Sequence, residues 1–298
     1  MIDILHESLL QITTYFALTI SLASFWISTD KRISLVLFSI SVIIGLISGG
    51  INYLSLASIT VFGFLIYLFY QKNFSAPIKV LLFFSILILT VLTFLHKVPG
   101  YDNWQAVKDI KLSRNSATFE MWFNFDKPLI AFFLLFFAYK PISRIVQYKE
   151  IFNRSFIFFV PLIIVLFIFG TAVSYVVFDP KLPSFTLILL WMVKMLFFTV
   201  IAEEFFFRFF LQNNLTILFK KLKHAEIWGL ILTSMIFGLF HFSGGWAFAF
   251  LAFVSGLLYG GVYLKTKYIE SAILLHFLVN LVHFFFFSYP YYSQIASG

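Results

Sequence analysis

Cysteine is absent from all 298 residues. That excludes disulfides, thiolate nucleophiles and cysteine metal ligands together, and it leaves the redox compartment unreadable. Charge is scarce as well. Asp, Glu, Lys and Arg make up 11% of the chain against 61% hydrophobic residues, and the mean hydropathy of +0.97 excludes an ordinary soluble domain. No internal repeat, no low-complexity segment and no HExxH sequence occurs, so the local ligand spacing of a zinc protease is missing. A net charge of +8 would point to nucleic acid in a soluble protein. Here the placement of the charge explains it, and no nucleic-acid partner is expected.

What is present is a series of apolar stretches, each near the roughly 20 residues that cross a bilayer as a helix. About ten are legible by this criterion, at 8–28, 33–49, 53–70, 78–96, 120–139, 155–178, 185–205, 227–243, 246–264 and 269–288. The fold class expected is all-α, a polytopic transmembrane helical bundle. Most Lys and Arg residues fall in alternate connections: Lys31 and Arg32; Lys72 and Lys79; Lys140, Arg144, Lys149 and Arg154; Lys220, Lys221 and Lys223; Lys265 and Lys267. The positive-inside rule makes those connections cytoplasmic and both termini external. The first stretch follows Asp3 and Glu7 and has no basic n-region, so it is expected to be a retained span. Residues 1–96 carry almost no ionisable group at depth and are expected to be a transmembrane scaffold. Residues 97–127 form one long polar loop, either a surface crossover or a lid, and residues 128–298 form the catalytic membrane domain.

Ionised side chains near the bilayer centre cost roughly 2.5–3.5 kcal/mol on insertion scales, so they face a bundle interior or a wet cavity. The run 198–212, "FTVIAEEFFFRFFLQ", holds three such groups. Glu204 and Arg208 are four apart and share a helical face, which suits an ion pair. Glu203 points about 100° away. Desolvated beside a like charge, it is expected to have the raised pKa of a general base. His241 closes "IFGLFHFSGG", while His276 and Asn280 share a face of the last stretch. A base, a proton shuttle and donors for an oxyanion are the parts needed to add water to a carbonyl without a covalent intermediate.

These residues resemble the CPBP family (CAAX prenyl protease 2 / Abi, bacteriocin-processing) of intramembrane glutamic endopeptidases. The family signatures EExxxR, FxxxH and HxxxN read here as Glu203-Glu204-xxx-Arg208, Phe237-xxx-His241 and His276-xxx-Asn280. The segment "SGLLYGGVYLKTKYIESAILLH" is similar to the family's glycine-rich helix and basic turn, and the resemblance covers about 183–290. It implies that Glu203 activates water together with His241. It also implies that His276 and Asn280 form the oxyanion hole, and that Arg208 and Glu204 position the base. A membrane-embedded or lipidated peptide substrate follows, in the lipid bilayer of a prokaryotic inner membrane, with no cofactor and no metal.

Two other function classes use the same groups. A zinc hydrolase would take Glu203, His241 and His276 as ligands, and a transporter or proton relay would use buried Glu, His and Arg as an ion path. For the histidines to share one site, a shallow turn at Ser243-Gly244-Gly245 is expected within the bilayer depth. Gly256 and Gly260 form a GxxxG packing face. Lys194, nine residues before Glu203, is expected to snorkel or pair with another helix. His283 shares the broad face of His276 without an evident role, and His224, His96 and His6 are expected to meet solvent.

Overall fold

The computed structural model describes residues 9–142 and 144–293, which leaves His6 outside the described residues. The elements in chain order are α1 Leu9–Ile27, α2 Lys31–Ser48, α3 Tyr53–Gln71, α4 Ala76–Phe94, β1 Trp104–Lys111, β2 Thr118–Phe123, α5 Leu129–Phe137 and α6 Ile145–Ala172. There follow α7 Phe185–Leu218, α8 Ala225–Phe240, α9 Gly245–Thr266 and α10 Ile269–Phe286. Eight of these helices are long and apolar enough to cross a membrane, and α8 is a shorter apolar helix. The chain is a multi-pass membrane protein built as a helical bundle.

The stretch 120–139 is not one membrane helix. Its first residues form β2, in which Phe119, Met121 and Phe123 are buried while Thr118, Glu120 and Trp122 face out. That alternation is the period of a strand. Pro128 then disfavours helix at the residue before it, and α5 runs for only nine residues. The long polar connection is thus a β-hairpin of β1 and β2.

Contacts divide the chain into two interleaved units. Unit 1 comprises Met1–Val107, Met121–Ser143 and Val193–Ala202. Within it α5 is buried from Leu129 to Leu135, with Phe132 stacked on Phe38 at 4.0 Å. Before α5, Asp126 pairs with His96 at 3.0 Å, beyond the end of α4. After α5, the Lys31 ammonium donates to the carbonyls of Leu135, Phe136 and Tyr139 at 2.7, 2.8 and 3.1 Å. A cation thereby caps the carbonyls of a helix C-terminus. Protein groups satisfy its ends, so so short a helix can run through the unit without facing lipid.

Unit 2 comprises Lys108–Glu120, Arg144–Met192 and Glu203–Gly298. Its helices α8 and α9 pack closely because Gly256 lies under Ser234, where an added Cβ would sit 3.2 Å from the Ser234 Cα. The same addition at Gly260 would meet Leu230 Cδ1 at 2.4 Å, so the GxxxG face is a packing face. At one end of the unit Lys267 pairs with Glu226 at 2.9 Å and Gln147 donates to the Tyr268 hydroxyl at 3.4 Å. The basic connections at 144–154, 220–223 and 265–267 therefore gather at that end. At the other, Val177 O accepts from Ser288 N at 2.9 Å and Phe286 O accepts from Asp179 N at 2.9 Å. The hairpin tip joins there, with Ala117 N donating to Tyr291 O at 3.0 Å.

Candidate active site

Helix α7 changes its winding where it carries charge. Leu196–Val200 and Phe205–Gln212 are π-helical, and Ile201–Glu204 between them is α-helical. π-Helical turns are rare and concentrate at functional sites. Nothing in the apolar pattern of the run signals them. Lys194, upstream on the same helix, donates to Thr199 Oγ1 at 3.1 Å.

Glu204 and Arg208 are both fully buried, and Arg208 Nε donates to Glu204 Oε2 at 3.0 Å, the pair expected from their spacing. The guanidinium carbon lies 5.0 Å from the centre of the Phe237 ring and 5.9 Å from that of Phe207. Those ring faces suit a delocalised cation held away from water. The other oxygen of Glu204 makes a contact that sequence spacing does not reveal: Oε1 lies 2.8 Å from His276 Nδ1. Arg208, Glu204 and His276 thus form one chain across α7 and α10.

Each histidine has its ring orientation set through Nδ1. An ionised carboxylate only accepts, so His276 carries its proton on Nδ1 and the neutral ring has its lone pair on Nε2. The Tyr259 ring stacks on His276 at 4.5 Å and 17°. His241, the residue that ends α8, places Nδ1 2.7 Å from the Phe237 carbonyl. That carbonyl also only accepts, so the basic nitrogen of the neutral His241 ring is Nε2 as well. Phe237 lies between the two rings, 4.5 Å from His241 and 6.0 Å from His276.

A turn follows His241 at once, with Phe242–Gly244 in 3-10 conformation and Gly245 at φ 88°. Phe242 and Trp246 are 59% and 65% exposed there, large apolar surfaces suited to hydrocarbon or the membrane interface.

His241, His276 and Asn280 line one cavity of about 100 Å³. Glu204 and Arg208 stand behind this wall and reach it through His276. Glu203 is buried, 6% exposed, and joins the group as their immediate neighbour. Three residues of the wall that the sequence reading did not assign are Tyr259, Tyr175 and His283. Tyr259 sits between the two glycines of the GxxxG face, and His283 recurs seven residues after His276. Tyr175 had no signal, because it lies in a connection. Burial holds the Tyr175 hydroxyl above the ordinary phenol range, so it stays protonated at neutral pH. Nearby in that connection Lys181 donates to the Phe287 carbonyl, and burial brings its ammonium down to about 8. Among the described residues no group of three or more His, Cys, Asp and Glu side chains is placed to hold a metal ion.

Two oriented imidazoles and an amide in the wall of one cavity, with a buried carboxylate behind it, are parts that a membrane-embedded hydrolase needs. Residues 184–282 match the family described as type II CAAX prenyl endopeptidase Rce1-like. The match covers a third of the chain, and on it the protein is an intramembrane endopeptidase, a peptide hydrolase. No curated protein and no solved structure matches the chain.

Proposed function

We propose that this endopeptidase is glutamate-dependent and cuts a membrane-embedded or lipidated peptide, such as a prenylated tail, with an activated water. The observation that carries the reading is the buried run Arg208–Glu204–His276, which ends in a cavity that His241 and Asn280 also line. Glu203 and His241 take a proton from water as its oxygen attacks the scissile carbonyl carbon. The carbonyl oxygen becomes an oxyanion that the Asn280 amide and the His276 ring stabilise. His276 donates from Nε2 when its ring holds both protons, and Glu204 supplies the countercharge. Collapse breaks the carbon–nitrogen bond, and the proton taken from water passes to the leaving amine.

The test compares wild type with Glu203→Gln and His241→Ala for cleavage of candidate membrane peptides in detergent, with and without a chelator. Loss of cleavage in both variants, with wild type indifferent to the chelator, is the expected result. Normal cutting by both variants refutes the reading, and chelator sensitivity turns it toward a metal enzyme. A prokaryotic cytoplasmic membrane is the proposed location, where the basic end of unit 2 would face the cytoplasm.

A further inference from the structure

The last helix presents to the cavity a residue that the proposed chemistry does not use. His283 lies seven residues after His276 and three after Asn280 on α10, and all three line the same wall. Its ring is held from two sides. Nε2 lies 3.2 Å from the Ser288 carbonyl, which only accepts, so Nε2 carries the proton. Ser288 is itself fixed, its amide donating to Val177 O at 2.9 Å and its hydroxyl accepting from Val177 N at 3.1 Å. On the other side the Tyr289 ring meets the imidazole at 5.0 Å, and the Tyr289 hydroxyl accepts from Trp191 Nε1 at 3.1 Å.

The neutral ring then has its lone pair on Nδ1. Among the described residues the hydrogen bond of this ring is made by Nε2 and none by Nδ1. Because the ring lines the cavity and is fixed through Nε2, Nδ1 is a pre-oriented acceptor in the wall that holds the proposed oxyanion donors.

We propose that His283 is a substrate-binding residue whose Nδ1 accepts a hydrogen bond from a backbone N–H of the substrate, about three residues from the scissile bond. The position rests on the reading above, in which His276 and Asn280 mark the scissile carbonyl. Seven helical residues rise about 10 Å, and an extended peptide covers that distance in about three residues at roughly 3.3 Å each. A peptide bond must leave helical pairing before its carbonyl can be attacked, and an extended backbone exposes N–H groups in need of acceptors.

The experiment uses one cleavable peptide substrate in versions N-methylated at each amide from three residues before the cut to three after it. Wild type, His283→Phe and His283→Asn are compared by KM and kcat. Methylation at one amide, about the third from the cut, is expected to raise the wild-type KM about tenfold with kcat little changed. His283→Phe is expected to raise KM equally on the unmethylated substrate and to be insensitive to that one methyl group. Every other methylation should act alike on both enzymes, which also proves the variant folded. His283→Asn, which keeps an acceptor near the Nδ1 position, should restore part of the difference. An unchanged wild-type methylation pattern in His283→Phe overturns the proposal. So does inactivity of both variants on every version, because loss of a distal contact leaves the chemistry intact. A wild type that cuts no peptide refutes the peptidase reading itself, and the inference falls with it.

Discussion

At the scale of single residues the ionisable groups of unit 2 divide by their partners. Glu204 and Arg208 are fully buried and paired. Removing one partner strands a charge away from water, and Arg208→Met is expected to cost about 3–5 kcal/mol. Unfolding in detergent measures this, and a Glu204→Gln substitution added to Arg208→Met should recover part of the stability and none of the cleavage. Asn280→Ala removes a proposed oxyanion donor. It is expected to lower kcat about 10²–10³-fold with little change in KM, read by steady-state kinetics. Lys181 gives a pH-dependent prediction. Burial brings its pKa down to about 8 from the 10.5 of a free lysine, so between those values the unfolded chain holds a proton that the folded one has released. Stability then rises with pH through this window. Burial also raises Tyr289 to about 12, which lowers stability above about pH 10 as unfolded tyrosine ionises. The comparison therefore belongs between pH 8 and 10, where Lys181→Met should flatten the rise.

The elements around the site work through close approach. Gly238 lies three residues before His241, and a Cβ there would come 2.8 Å from the Ala249 backbone carbonyl and 3.0 Å from Phe253 Cβ. Backbone cannot move aside as a side-chain end can. Gly238→Ala is expected to part α8 from α9, to cost about 1–3 kcal/mol and to displace His241, so thermal stability and kcat should fall together. Much of this layer was legible beforehand. The four-residue spacing of Glu204 and Arg208 named their pair, the GxxxG run named a packing face, and the small residues after His241 named a turn. The Glu204–His276 contact was not legible, since it joins residues 72 positions apart, and helical periodicity speaks only of neighbours on one helix. The run at 120–139 deceived for a related reason. Composition reports burial and not the conformation that achieves it, so a strand and a nine-residue interior helix together read as one span.

For the molecule as a whole, the absence of cysteine makes sidedness directly testable. Single cysteines placed at Lys221 and Lys267 are expected to react with a membrane-impermeant thiol reagent from one face of the membrane only. One placed at Asp179 should react from the opposite face. Labelling of all three from one face would contradict the gathering of the basic connections at one end of unit 2. The two units interleave along the chain, with Val193–Ala202 of α7 in unit 1 and Glu203 onward in unit 2. No feature of composition marks that crossing.

Sequence alone determined that this protein lives in a bilayer and marked six side chains as the candidates for its chemistry, because an ionisable group in an apolar run is too costly to be incidental. It did not determine that Glu204 holds His276, that His283 stands in the cavity wall, or that α7 abandons regular winding around its carboxylates. Those features depend on which faces of separate helices meet, and only the packing of the whole chain sets that.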